Sequence, residues 1–277
     1  MVGHYDVPYI PFYPGIDQFP ASKITHSRYF RHPSTFQGKR VLLIGNGSSG
    51  TDLGNQLVNH ASAVFRSIRS AAPLMLYTDP RVRDVSPLKC FNTTTIELED
   101  GTILENIDSV IFCTGYLYAV PMFSRKYGFV SDTGEYIHHL FQQTFYTEDP
   151  SLVFLGMPRQ ILPFPTFQNQ AILVAKVWDG KLCLPTVEEM RKDEVDRLEK
   201  KGFDGTKYHF YPFPEDVELA EGWRRWIEED KSEGWEESMR PWRWTEERVK
   251  IRTNAVELKE RFMKERSEGK WDHLDQS

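Results

Sequence analysis

The feature that most constrains this chain is a turn of three glycines, Gly45-Asn46-Gly47-Ser48-Ser49-Gly50, set directly behind the apolar run Arg40-Val41-Leu42-Leu43-Ile44. A short β-branched run of this kind reads as a strand buried in a parallel sheet. After the turn, Leu53, Leu57, Val58 and Ala61 recur at helical spacing, and Ala63-Val64-Phe65 opens a second apolar run. Strand, glycine turn, helix and strand make one βαβ unit.

A GxGxxG pattern is weak by itself, but here the strand before it and the helix and strand after it supply the required context. Each glycine has a physical task. Gly45 permits the tight turn, Gly47 lets a pyrophosphate approach bare backbone, and Gly50 lets helix and strand pack closely. The first amides of the helix then face the phosphate charge. Ser48 and Ser49 add hydroxyls that can donate to phosphate or cap the helix. Asn46 completes the turn. A glycine-rich turn with no ligand is the competing reading.

The second strand separates the two common dinucleotides. An NAD site places Asp or Glu about 20 residues beyond the turn, on the ribose hydroxyls. From Leu53 through Thr78 there is no acidic residue, whereas Arg66, Ser67, Arg69 and Ser70 stand where that strand ends. Guanidinium groups suit a 2′-phosphate that a carboxylate would repel. The cofactor expected is therefore NADP(H), with Arg69, and less surely Arg66, on the 2′-phosphate. For either arginine alone, a solvated surface charge is the competing reading.

Composition narrows the classes. The net charge of −6 argues against a nucleic-acid partner. No stretch reaches the roughly 18 continuous apolar residues of a membrane span. The opening residues lack the pattern of a signal peptide. Cys90, Cys113 and Cys183 are far apart and odd in number, so neither a disulfide framework nor a zinc site follows. Cys113, in an apolar run, reads as a small buried side chain. A reducing, cytoplasmic setting is expected.

Along the rest of the chain, residues 1–38 are rich in Pro, Gly and aromatics and read as an ordered loop. Residues 96–99 and 102–104 flank Asp100-Gly101, a two-residue hairpin signal. Residues 108–112 and 151–155 read as further strands. Helices are expected at 171–178, 186–200, near 214–231 and over 244–267. Trp223, Trp226, Trp242 and Trp244, in the last two, read as packing rather than as a ligand pocket.

Several of these residues are similar to those of the flavin-containing monooxygenases. His26 and Phe30 match the second half of that family's FxGxxxHxxx(Y/F) fingerprint; Ala21 stands where its second conserved position has Gly, and the gap to His26 is one residue longer. Asp108, Phe112, Thr114, Gly115, Tyr116 and Pro121 match the pattern Dxxx(L/F)ATGYxxxx(H/P), with Cys113 in place of Ala. Leu155-Gly156-Met157-Pro158 and Pro163-Phe164-Pro165-x-Phe167-x-x-Gln170 resemble a late flavin-side segment, and the C-terminal part looks more like fungal members.

The resemblance implies an α/β fold: a Rossmann-type NADP-binding domain at 31–112, a partial FAD-type domain formed by 1–30 and 113–190, and a helical region at 191–277. It implies Gly115 and Tyr116 at the crossing between the nucleotide domains, Gln170 facing the flavin, and His26 in the linker. It also implies the activity. NADPH reduces FAD, O2 adds to the reduced flavin, and one oxygen atom passes to a nucleophilic N or S of a small substrate. No residue qualifies as an independent general base or nucleophile, so the catalytic residues are unassigned. With a single GxGxxG, the chain is expected to lack the N-terminal FAD-binding segment, to retain little FAD, and to offer an open sheet as a surface for association. The alternatives are a non-catalytic NADP(H)-binding module, a partner-dependent half of a split enzyme, and an unrelated NADP reductase.

Overall fold

The computed structural model describes residues 5–69, 78–123, 127–230, 240–267 and 270. Ser70, at the end of the expected phosphate-binding stretch, and the opening residues 1–4 lie outside them. The chain divides into two compact units, Pro8–Gly115 with Asn254–Ser277, and Met1–Val7 with Tyr116–Thr253.

The first unit is built on a five-stranded parallel sheet. Its strands are β1 (Ile24–His26), β2 (Arg40–Ile44), β3 (Ala63–Ser67), β4 (Val82–Val85) and, later in the chain, β8 (Ser109–Phe112). The spatial order is β1-β8-β2-β3-β4. Between β8 and its predecessors lies a three-stranded antiparallel sheet, β5 (Leu88–Phe91), β6 (Thr95–Leu98) and β7 (Ile103–Glu105). The expected hairpin turns at Gly101, whose φ of 84° is the left-handed conformation that glycine tolerates.

Strand alternation explains how the parallel sheet is covered. Leu42, Ile44 and Phe65 point to a core shared with Leu88, Ile96 and Leu98 of the antiparallel sheet. Val41, Leu43 and Val64 point the other way, onto Leu53 and Leu57 of helix α1 (Ser48–Leu57). Burial on both faces is why β2 reads as a continuous apolar run. Among the described residues both faces of this sheet are thus covered.

Asp108 shows why its motif starts with a carboxylate. Its Oδ2 accepts the Arg40 N–H at 2.9 Å, while the Asp108 N–H donates to the Arg40 carbonyl at 2.9 Å. The pair sets the register at the start of β2 and β8.

In the second unit, β9 (Leu140–Phe141) and β10 (Phe145–Tyr146) form a short antiparallel pair. Helices α2 (Pro163–Trp178), α3 (Val187–Lys201) and α4 (Glu215–Ile227) pack with them. Phe141, Phe145, Ile172, Leu173, Trp223 and Ile227 form the core. Trp226 lies edge-on to Phe141 and Phe145, and Trp242 makes a T-shaped contact with Trp244. The tryptophans are packing groups. Among the described residues no helix is long and apolar enough to cross a membrane.

The elements differ from the sequence expectations in four places. Residues 24–26 are a strand, not loop, because β1 pairs with β8. Helix α4, beyond residue 191, shares a core with α2. Residues 151–155 make only one bridge, Val153 to Phe145, because Asp149 ties back the Ser151 amide and hydroxyl in a turn. Helix α2 starts at Pro163 rather than near 171, since prolines fit a first helical turn, whose amides have no intrahelical partner. The C-terminal helix is broken at Asn254 into Glu246–Thr253 and Ala255–Ser267.

Candidate dinucleotide site

The glycine turn lies at the C-terminal end of β2 and leads into α1. Gly45 has φ of 106°, and a Cβ there would stand 2.8 Å from the Cys113 carbonyl oxygen. A Cβ on Gly50 would stand 2.1 Å from the Gly45 carbonyl oxygen, so the helix approaches the turn closely enough to admit only hydrogen. Gly47 is different: a Cβ there meets nothing within 4 Å. The demands at Gly45 and Gly50 come from the protein itself, whereas Gly47 stands open.

Gly47 is the N-cap of α1 and receives no side-chain cap. The first i→i−4 bond runs from Thr51 N–H to Gly47 O, at 3.1 Å. The amides of Ser48, Ser49 and Gly50 precede it and have no partner within the helix. No acidic residue occupies that turn, so the positive end of the helix is uncompensated from within.

Above the turn is a pocket of about 650 Å³, within the usual range for small-molecule sites. Its floor is Ile44, Gly45, Asn46 and Gly47; Ser67 and Arg69 follow β3, and Cys113 and Thr114 follow β8. It thus sits beyond the carboxyl ends of adjacent parallel strands, where open α/β sheets bind ligands. Tyr9, Phe12 and Tyr13 line it from the N-terminal segment, and Glu99 from the end of β6. None of these four was marked by the glycine motif. Their approach depends on chain folding over long sequence separation.

The two arginines part company. Arg69 is exposed, lines the pocket and hydrogen-bonds the Tyr13 hydroxyl. Burial pushes the Tyr13 phenol upward, and Arg69 partly offsets this. Arg66 is buried and does not line the pocket. Its Nε and Nη2 donate to the two Asp84 carboxylate oxygens at 2.7 and 2.9 Å, and its Nη1 donates to Thr51 Oγ1 at 3.0 Å. Strand alternation turns residue 66 toward α1, on the same side as Val64, and the β3–β4 register sets it beside Asp84. In this structure the fork geometry of Arg66 is spent on a carboxylate. Ser67 lines the pocket, but its hydroxyl already donates to Ser86 O and accepts from Leu88 N–H.

Gly115 does not line the pocket, and the boundary between the two units falls between it and Tyr116. His26 anchors this exit. Its Nδ1 accepts the Arg28 N–H at 3.1 Å, which leaves the proton on Nε2 to donate to Gly115 O at 3.0 Å. Burial holds the ring below its ordinary pKa of 6.5. Protonation is then easier in the unfolded chain than in the native one. The stability contributed by neutral His26 is present above pH 6.5 and falls as pH drops below it. In melting curves from pH 7.5 to 5.5, the native protein should lose more Tm than His26→Gln; equal slopes would remove this role.

Gln170 is fully buried in the second unit. Its Oε1 accepts the Gly156 N–H at 2.9 Å, and its Nε2 donates to Thr144 Oγ1 at 2.9 Å and Gln143 O at 3.1 Å. These bonds tie α2 to the loops at residues 143–144 and 156. Cys113 is buried beside the turn, and burial pushes its thiol up to about 12, so it is no nucleophile near neutral pH.

The parallel sheet, glycine turn and strand-end pocket define a protein of the Rossmann-type α/β class. Within that class, the chain belongs to the flavin-binding monooxygenase-like family, whose profile matches residues 1–84 and 81–209. A flavin-containing monooxygenase of Aspergillus flavus is 30% identical over 75% of this chain and 48% of its own length. The trimethylamine monooxygenase of Methylocella silvestris is 32% identical over 74% of this chain and 46% of its own length. Among solved structures, the S-allyl-L-cysteine S-oxygenase of Allium sativum aligns with a TM-score of 0.69 at 26% identity, covering 91% of this chain and 62% of that one. The chain spans about half the length of the curated relatives it matches.

Proposed function

We propose that this chain supplies the NADP(H)-binding part of a flavin-dependent monooxygenase that oxygenates a nucleophilic N or S atom of a small substrate with O2. The observation that carries it is the free space over Gly47, beside the first amides of α1, those of Ser48, Ser49 and Gly50, which have no partner within the helix. That space suits a pyrophosphate. Asn46 and Ser67 line its sides, and Arg69 holds the 2′-phosphate. The trimethylamine monooxygenase and the S-allyl-L-cysteine S-oxygenase that this chain resembles support the choice of N or S.

When bound, the flavin supplies reductive activation of O2, with NADPH as the source of electrons. The glycine turn is assigned to NADP(H). Among the described residues no second turn of this kind joins a strand to a helix. What this chain's residues do is bind and orient. Backbone amides neutralise the pyrophosphate, Arg69 selects the phosphorylated ribose, and His26 fixes the Gly115 carbonyl where the chain leaves the unit.

Titration of the protein with NADPH and NADH, by calorimetry or nicotinamide fluorescence, tests the assignment. NADPH should bind more tightly, and Arg69→Asp should weaken NADPH roughly 10- to 100-fold, the worth of a charge-assisted bond, while NADH changes little. Equal losses for both dinucleotides would reject Arg69 as the 2′-phosphate ligand. NADPH binding with no flavin-dependent oxygen consumption, even with added FAD, would favour a non-catalytic NADP(H)-binding module.

A further inference from the structure

We propose that Glu99 is a specificity-determining residue that restrains the pocket's preference for the phosphorylated dinucleotide, an inference that rests on the NADP(H) reading above. Glu99 lies 33 residues after Arg66 in a different sheet, and no acidic residue occurs in the stretch where an NAD-type carboxylate is ordinarily sought. The fold nevertheless brings a carboxylate to that end of the pocket. Glu99 follows β6, and its N–H donates to the Pro87 carbonyl at 2.8 Å, which pins the end of the strand against the segment entering β5. Both Glu99 and Pro87 line the pocket, together with Arg69 and Tyr13.

Tyr13 ties the two charges to one location. Its phenol takes a hydrogen bond from Arg69 and also feels the Glu99 carboxylate, which opposes the effect of the arginine. The adenosine end of the pocket thus carries one fixed positive and one fixed negative charge. A 2′-phosphate entering there is attracted by Arg69 and repelled by Glu99. A plain ribose 2′-hydroxyl has no charge to be repelled and can donate to a carboxylate, the arrangement that favours the unphosphorylated cofactor. Glu99 is exposed, so the repulsion is screened and modest rather than prohibitive.

The test compares native protein, Glu99→Gln and Arg69→Asp in titrations with NADPH and NADH. Adenosine 2′,5′-bisphosphate and 5′-AMP serve as probes of the adenosine end alone. Glu99→Gln keeps the side chain's length, and thermal melts check that the fold is unchanged. The expected result is a roughly 3- to 5-fold gain in affinity for NADPH and the bisphosphate, the size of one screened like-charge contact, with no gain for NADH or 5′-AMP. The gain should shrink as salt is raised. If Arg69→Asp loses NADPH but Glu99→Gln gains nothing, or gains equally for all four ligands, the role of Glu99 is overturned and the dinucleotide reading stands. If the native protein binds neither dinucleotide, both fall together.

Discussion

Replacing Gly47 by alanine should leave the fold intact and abolish most dinucleotide binding, whereas the same replacement at Gly50 should damage both. Gly47 has φ of −69° and ψ of −172°, which any residue adopts, and the added methyl meets nothing within 4 Å. The melting temperature of Gly47→Ala should therefore match that of the native protein. The methyl would, however, stand where a pyrophosphate must touch bare backbone. A fall in NADPH affinity on the order of 100-fold is expected. At Gly50 the new Cβ would stand 2.1 Å from the Gly45 carbonyl oxygen. Helix and turn must separate, at about 1–3 kcal/mol for overpacking of this kind, and the cradle deforms with them. The contrast is the useful part. Gly47→Ala with native stability and native NADPH affinity would mean that the space over the turn is not a phosphate site. Loss of stability at Gly47 would mean that the turn is packed in a way the structure does not contain.

The parts of the site that could be read from sequence are those carried by consecutive residues. Apolar run, glycine turn and amphipathic helix follow one another within residues 40–57, so local sterics determine the βαβ unit and the place of its phosphate cradle. Arg66 and Arg69 were not separable in the same way. Arg66 is withdrawn by Asp84, a residue on β4, and Val82–Val85 carries two charges in four positions and gives no apolar strand signal. The partner that decides between the arginines was thus invisible until the strands were paired. Tyr13 and Glu99 reach the pocket over still longer separations, and neither has a spacing relation to the turn. The N-terminal segment shows the same limit. It reads as an ordered loop, and nothing local says that residues 24–26 will extend a sheet whose neighbouring strand starts at Ser109.

Replacing Gln170 should cost stability rather than cofactor affinity. The residue lies on α2 with its amide enclosed by residues 143, 144, 154 and 156. The loop that supplies these acceptors holds His139, Gln142 and Gln143 at φ of 57°, 48° and 58°, a left-handed conformation that side chains other than glycine adopt at a cost. Carboxylates on α3 help to hold it there: Glu194 accepts the His139 N–H at 2.8 Å, and Asp193 accepts the Gln142 side-chain amide at 2.8 Å. Gln170 closes the other side. Gln170→Met keeps the volume but leaves the Gly156 N–H without its acceptor and the Gln143 carbonyl and Thr144 hydroxyl without their donor. Burying such groups unpaired costs about 1–3 kcal/mol each, and relaxation of the loop recovers part of it, so a net loss of roughly 3 kcal/mol is expected. Denaturant unfolding measures it, with NADPH titration alongside. Unfolding at lower denaturant with an unchanged dissociation constant fits a residue that locks a strained loop to a helix. Unchanged stability with weakened cofactor binding would return Gln170 to the ligand site, and the hydrogen-bond network around it would then have to open in the working protein.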